Sequence, residues 1–247
     1  MCIMYSRNRI YITPEEQSAM ADFHIVLAGA GLGSVIAECA LRLGFRRISI
    51  IDGDVVEKSN LNRQNYTWHD IGSPKAEALR NRLLSICPQA EITSHNQYIT
   101  SENAAQFLKV ADAAINAIDF TSDVPFVFDR ECVLRGIPAL HPYNLGWAGC
   151  VFVVTDESEN LSHISTNPQG FELKCADFII EKLAAQGENM RYLETMIQTY
   201  RNEPEKIPPP QLSVASWITA GLCTDILFRL ATGKEIALFP GIYCKKV

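Results

Sequence analysis

The chain has 247 residues, 47% of them apolar and 20% charged, with a formal net charge of −6. That length suits one large α/β domain burying roughly 70–75% of its unfolded surface, and the acidic balance argues against nucleic acid as the main partner. With no apolar run of signal-peptide or membrane-spanning length, a cytoplasmic location and no membrane partner are expected.

Residues 1–20 form a polar arm containing Y-S-R-N-R-I-Y-I-T-P-E-E-Q, a short helix or an extended lead-in whose Arg7 and Arg9 read, from the residues alone, as surface charge. Residues 24–28 are apolar and run into G-A-G-L-G-S and an apolar helix reaching Leu43, the strand, glycine turn and helix start of a nucleotide-binding βαβ unit. Gly29 and Gly31 permit a tight turn and close backbone approach to a ligand, and Gly33 lets the helix pack against the strand. Phosphate would sit at the helix N-terminus, where unpaired N–H groups and the dipole favour anions. Ser34 stands where the dinucleotide fingerprint has its third glycine, and no G-K-[ST] closes the turn as a P-loop.

A strand over 47–51 ends in Asp52, placed to accept hydrogen bonds from ribose hydroxyls. Beyond it come Asn60 and Arg63, then His69, which reads as a loop residue. Ser73 as N-cap and Pro74 as first helical residue predict a helix over 74–86 with the stripe Ala76, Leu79, Leu83 and Ile86. Lys75 falls in its first turn, where a cation opposes the helix dipole by roughly 0.3–1 kcal/mol; a nearby anion explains it better than helix stability does, a solvated lysine being the plain alternative.

A strand over 91–95, a helix over 102–109, a strand over 113–118 ended by Asp119, a helix over 124–135 and strands over 138–141 and 150–155 follow. This alternation predicts a Rossmann-like, doubly wound, mostly parallel sheet with helices on both faces. Ligands of such sheets bind at the carboxyl ends of the strands, where the glycine turn, Asp52 and Asp119 all fall. Asp119 reads as a magnesium-linked carboxylate beside substrate phosphates, or as an acidic residue opening the next helix.

Residues 144–149 include Trp147, for which burial is the common reading. Residues 157–170 form a polar loop, one or two helices lie between 172 and 200, and N-E-P-E-K-I-P-P-P is a stiff extended connector. The eight cysteines, at 2, 39, 87, 132, 150, 175, 223 and 244, make no C-x-x-C pair, so neither a zinc clamp nor a small disulfide scaffold is indicated, and most read as reduced core thiols. Cys175, beside Lys174 at a helix start, is either such a core thiol or a reactive one, since a cation and a helix N-terminus lower a thiol's pKa. A long helix over 214–232 and one or two edge strands within 234–243 end the chain as an antiparallel extension.

G-A-G-L-G-S, I-D-G-D-V-V-E-K-S-N-L-N-R-Q, I-G-S-P-K-A and I-N-A-I-D together resemble the adenylation core of the ThiF/MoeB/HesA superfamily, to which the ubiquitin-activating enzymes belong, over residues 5–155. The resemblance implies one ThiF-type domain over 1–247: an arm (1–20), a nucleotide-binding core (21–155), a crossover segment (156–212) and a C-terminal helix with edge strands (213–247). It implies an adenylyltransferase that uses ATP and magnesium to activate the C-terminal carboxylate of a small ubiquitin-like or sulfur-carrier protein with a Gly-Gly tail, releasing pyrophosphate. By motif position Asp52 would hold the ribose, Asn60, Arg63 and Lys75 the phosphates, and Asp119 the magnesium, with Gly29, Gly31, Gly33, Asp54 and Gln64 completing the nucleotide site. Y-S-R-N would make Arg7 the arginine that reaches the ATP of the partner subunit in a homodimer. Arg7, Arg63, Lys75 and Asp119 are then the catalytic candidates, with Cys175 a candidate acceptor after adenylation.

The chain departs from the family in having one glycine fewer in its loop and in lacking the two C-x-x-C pairs of many relatives, so no zinc is expected. The acceptor stays open among a sulfur carrier, a ubiquitin-like protein, a ribosomal peptide and a modified tRNA nucleoside. Two readings outside this activity share the βαβ unit. An NAD-dependent oxidoreductase gives Asn60, Arg63 and Lys75 no role, and a non-catalytic binding protein leaves the retained charges without a reason.

Overall fold

The computed structural model describes residues 3–204 and 207–247. Seven strands form one sheet: β1 (His24–Ala28), β2 (Arg47–Ile51), β3 (Glu91–His95), β4 (Ala113–Asn116), β5 (Ala139–Asn144), β6 (Ala148–Val154) and β7 (Tyr243–Lys246). Their order is β3-β2-β1-β4-β5-β6-β7. The first five run parallel, while β6 pairs antiparallel with β5 and β7 with β6, giving the expected doubly wound sheet with an antiparallel extension.

The helices are α1 (Pro14–Asp22), α2 (Leu32–Leu43), α3 (Lys75–Ile86), α4 (Ala104–Phe107), α5 (Val124–Val133), α6 (Phe171–Ala185), α7 (Arg191–Arg201) and α8 (Ser213–Ala231). Alternating side chains divide the core between the two faces of the sheet. Ile25 and Leu27 of β1 join α2, α3 and α8 on one face, whereas Val26 and Ala28 join α4 and α5 on the other. On β6, Val151 and Val153 face α8, while Cys150, Phe152 and Val154 face α6 and α7. The crossover segment thus has an apolar core of its own, in which Phe120 of the β4–α5 loop stacks on Phe171 of α6 with ring centroids 4.0 Å apart.

Several boundaries differ from expectation. Helix α3 begins at Lys75, with Pro74 extended at its N-cap; the backbone of Ser73 is engaged by Val56 and Asp70, so Ser73 caps nothing. Strand β4 stops at Asn116, whose carboxamide turns to Asp129, and Asp119 lies in the loop beyond. The helix expected over 102–109 shrinks to the single turn of α4. Residues 234–242 form no strand, because Phe239 is buried and its N–H bonds to Val153 O, which places the edge strand later, at β7. Cys150 and Cys244 are paired as a disulfide across β6 and β7, whereas Cys39, Cys87, Cys132, Cys175 and Cys223 are free thiols; Cys2 lies outside the described residues.

Helix α8 is long and apolar enough, by length and composition, to cross a membrane, unlike any run expected from the sequence. Here it packs against α2 and β6, with Ala215, Thr219, Ala220, Cys223, Ile226 and Leu227 buried.

Candidate nucleotide site

The glycine turn leaves β1 at its carboxyl end and delivers the chain to α2. Gly29 has φ +96°, and a Cβ there would run into the Ala117 carbonyl. Gly33 lies against Leu27, where a Cβ would come within 2.7 Å of Cδ1, so glycine is what lets α2 sit down on β1. Gly31 is the N-cap of α2 and has no side-chain cap; the Ser34 N–H turns back to Gly31 O at 3.1 Å, leaving the Leu32 and Gly33 N–H groups open at the helix start.

Asp52, just past β2, anchors this turn to the next loop. Its Oδ2 accepts from the Ala30 N–H at 2.6 Å and its Oδ1 from the Asp54 N–H at 2.7 Å. Burial nonetheless outweighs these bonds and the Lys75 charge, and raises its carboxyl above the usual carboxylate range. Lys75 is buried, and its ammonium donates to Asp54 Oδ2 at 2.8 Å, while Asp54 Oδ1 accepts from Tyr98 OH at 2.8 Å. For Asp54, desolvation is the largest single influence and acts upward, but Lys75 and Tyr98 together override it and lower its carboxyl.

The loop bearing Arg63 is fastened to α2 from below. Ser34 Oγ donates to Gly31 O at 2.7 Å and accepts from the Asn65 N–H at 2.9 Å. Asn65 Nδ2 donates to the buried Glu38 at 3.0 Å, which also pairs with Arg42 and Arg82. Asn60 is buried and its Oδ1 accepts from the Glu57 N–H, closing the turn that precedes Arg63. The Gln64 carboxamide lies beside Gly31, with Oε1 buried and without a hydrogen-bond partner among the described residues. Partial burial lowers the pKa of the Arg63 guanidinium, with Asp119 acting in the opposite sense.

Asp119 is exposed at the rim yet closely surrounded, and desolvation raises its carboxyl against the pull of Lys75 and Arg63. It makes no hydrogen bond or ion pair with the described residues. The next residue is held by the crossover segment, the Phe120 N–H donating to Glu172 Oε1 at 3.3 Å. No cluster of three or more metal-ligating side chains occurs among the described residues.

Ten of the twelve residues singled out for the site therefore gather at the carboxyl ends of β1, β2 and β4; Arg7 and Cys175 do not. Arg7 is exposed on a 3-10 turn fixed to the other end of α2, where Tyr5 OH donates to Leu41 O at 3.1 Å and Asn8 Nδ2 to Leu43 O at 2.8 Å. At 1.5 Å rise per residue that end lies about 15 Å from the glycine turn. Cys175 is a correction. It is fully buried among Phe171, Ile179 and β6, and burial pushes its thiol far above the ordinary range, so of the two readings the core thiol is the one present and the candidate acceptor role falls. Lys174 points away, its ammonium donating to Ser165 Oγ. Trp147 is 52% exposed on the β5–β6 turn, which removes the buried-tryptophan reading.

Sequence reasoning missed Tyr98, whose ring covers Gly53, and Gln211, which reaches Arg63 from the far end of the connector. Neither carries a local signal, because their partners lie 44 and 148 residues away in the chain.

Comparison with solved structures shows the fold. Escherichia coli MccB with AMPCPP and MccA aligns at a TM-score of 0.70 and 17% identity, covering all of this chain and 71% of that one. Escherichia coli tRNA N6-threonylcarbamoyladenosine dehydratase, TcdA, aligns at 0.67 and 20% identity, covering 93% of this chain and 94% of that one. Among curated proteins, the sulfur carrier protein ThiS adenylyltransferase of Bacillus subtilis is 33% identical over 165 residues, which is 64% of this chain and 49% of that protein. The sulfur carrier protein adenylyltransferase of Thermus thermophilus is 34% identical over 129 residues, 51% of this chain and 47% of its own length. The chain thus spans about half the length of these curated relatives. The glycine turn, the S-N-L-N-R-Q loop and the lysine opening α3 occupy one sheet end, and the model of the ThiF family matches residues 5–239, so this chain belongs to the ThiF family.

Proposed function

We propose that the protein adenylates the C-terminal carboxylate of a small ubiquitin-like or sulfur-carrier protein at the expense of ATP. The observation that carries this reading is the convergence of Asp52, Arg63, Lys75 and Asp119 around the N-terminus of α2, with Lys75 buried and, among the described residues, its ammonium paired only to Asp54. A triphosphate suits this donor set: two cations, open helix N–H groups and a glycine turn without a Cβ to block approach.

The reaction joins an acceptor carboxylate oxygen to the α-phosphorus. The bond from that phosphorus to the oxygen bridging to the β-phosphorus breaks, and its electron pair leaves on pyrophosphate. No proton moves, so the protein's work is to hold the reactants and offset charge. Asp52, fixed by the Ala30 and Asp54 N–H groups, keeps lone pairs for the ribose hydroxyls. Lys75 exchanges Asp54 for phosphate oxygens, and Arg63 meets the same triphosphate from the opposite loop. Asp119, a carboxylate without a hydrogen bond among the described residues, suits one ligand of magnesium, which takes few carboxylates alongside substrate phosphates and, when bound, would neutralise phosphate charge.

Calorimetry with ATP and magnesium against NAD, followed by mass spectrometry of candidate carriers incubated with the protein and ATP, tests this reading. ATP binding and an AMP-linked carrier are expected; tight NAD binding without ATP binding overturns it. A second acceptor class, a carboxylate-bearing modified tRNA nucleoside, is favoured by the near-complete mutual coverage with the tRNA-modifying dehydratase, and disfavoured by the net charge of −6.

A further inference from the structure

The loop that carries Asp119 is held from both sides. It leaves β4 at Asn116, whose side chain is buried. Asn116 Nδ2 donates to Asp129 Oδ1 at 2.8 Å and to Pro125 O at 3.0 Å, and the same Asp129 oxygen meets His141 Nε2 at 2.8 Å. With its amide group fixed in this way, Asn116 presents Oδ1 to the Ile118 N–H at 3.4 Å. The Ala117 N–H between them goes to Ala28 O at 2.8 Å, beside the glycine turn. On the far side of Asp119, the Phe120 N–H donates to Glu172 Oε1 at 3.3 Å, an oxygen that arrives from the first turn of α6, 52 residues along the chain. The N–H groups of residues 117, 118 and 120 thus each have an acceptor, while the Asp119 carboxylate is left without a hydrogen bond among the described residues.

Two simpler roles for Glu172 leave this arrangement unexplained. An acidic residue in the first turn of a helix is favoured by the dipole, but that asks for no bond to a distant loop. Phe120 is also seated by its ring, which stacks on Phe171 with centroids 4.0 Å apart, and Phe126 meets both rings at 5.3 Å. Ring packing fixes where the Phe120 side chain lies; it does not fix the rotation of the peptide between Asp119 and Phe120. The Glu172 bond does, because the N–H it accepts belongs to that peptide. Asn116 does the same for the peptide entering residue 118. The buried Asn116–Asp129–His141 group, which no step of adenylation uses, then has a purpose: it holds one carboxamide so that its oxygen faces the loop.

We propose that Glu172 and Asn116 are positioning residues for Asp119, bracing the loop so that its carboxylate stands ready for magnesium before metal and nucleotide arrive. This rests on the adenylation reading and adds a part for α6 that no motif in the crossover segment announces. A loop ordered in advance does not have to be ordered during binding, so the affinity for the metal-bound nucleotide rises without any new contact to it.

The test uses the full chain and calorimetry for ATP, once with magnesium and once with EDTA. Glu172→Ala removes the acceptor, and Glu172→Gln keeps an oxygen at Oε1 without the charge. Glu172→Ala should bind ATP with magnesium about three- to tenfold more weakly than wild type, the range for one hydrogen bond, and metal-free ATP equally well. Glu172→Gln should restore wild-type affinity. Added to Asp119→Ala, Glu172→Ala should change nothing further, since the two residues act as one unit. Without any ligand, hydrogen exchange should be faster at the Phe120 amide in Glu172→Ala and at the Ile118 amide in Asn116→Ala, as each loses its acceptor. If Asn116→Ala fails to fold, the two Glu172 variants still decide the proposal. Equal losses for ATP with and without magnesium mark a general structural role and overturn it, as does a Glu172→Gln variant no better than Glu172→Ala; the adenylation reading survives either result. A wild type that binds no ATP, with or without magnesium, brings down the adenylation reading and this proposal together.

Discussion

At the scale of single residues, the site is a set of charges whose mutual distances decide their states. Lys75, buried at a helix start, and Asp119, in a loop, both lie outside the apolar clusters, so Lys75→Ala and Asp119→Ala should each reduce adenylation ~10²–10³-fold, the range for loss of one charge-stabilising group. Circular dichroism should show the fold unchanged, and full adenylation by either variant would remove that residue from the mechanism. Two of the three carboxylates that feel the Lys75 charge, Asp54 and Asp119, should differ in their stability against pH. Asp54, lowered on balance by Lys75 and Tyr98, contributes stability that is present above the ordinary carboxylate pKa and is lost as pH falls through its lower folded value. Asp119, raised by desolvation, has the opposite sign: its favourable form is complete below the ordinary pKa and is lost as pH rises through its higher folded value. Thermal melts should therefore find Asp54→Asn less stable than wild type at neutral pH and Asp119→Asn more stable, with both differences fading in acid. Melts in which both variants shift the same way at neutral pH would contradict this assignment. Cys175 behaves as a packed thiol, so iodoacetamide should leave it unmodified in the native protein and label it only after unfolding; native labelling, read by mass spectrometry, would restore it as a reactive group.

Between elements, the Arg63 loop keeps its place on α2 through one hydroxyl. Ser34 bonds both the Gly31 carbonyl and the Asn65 N–H, which explains why the third glycine of a dinucleotide fingerprint would be a loss here. Ser34→Ala leaves a buried N–H and a carbonyl with fewer partners and should cost about 1–3 kcal/mol. Chemical denaturation gives the size, and ATP affinity should fall in parallel as Arg63 loosens; unchanged stability would show that Glu38 and Asn65 suffice. Gly33→Ala should be worse than a helix-propensity scale suggests, because the added Cβ meets Leu27 within 2.7 Å, and overpacking costs about 1–3 kcal/mol where neighbours cannot retreat.

For the whole molecule, the position of Arg7 is the decisive observation. Its turn is fixed by Tyr5 and Asn8 to the end of α2 remote from the glycine turn of the same chain. An arginine side chain does not span that length, so any role for Arg7 at the nucleotide is expected to be played in a partner subunit's site. Mixing inactive Arg7→Ala with inactive Lys75→Ala should restore part of the activity, because one site of each mixed dimer would be complete. Sedimentation showing only monomers, or no recovery after proven subunit exchange, would reject it.

What could be read from the sequence was local or periodic: the buried runs of β1 and β2, the glycine turn, the S-N-L-N-R-Q loop, and the alternation that requires a parallel sheet. These are legible because strand ends, turns and helix starts are set by a few neighbouring residues, and a doubly wound sheet brings its strand ends together whatever the loops contain. Burial was not legible in the same way. Cys175 and Lys174 are adjacent in the chain, but packing of α6 on β6 sent one into the core and the other to Ser165, which decided between the two readings of the thiol. The bonds from Tyr98 to Asp54 and from Arg63 to Gln211 likewise join residues far apart in sequence, so only the completed fold could decide which acceptor each donor meets when no nucleotide is bound.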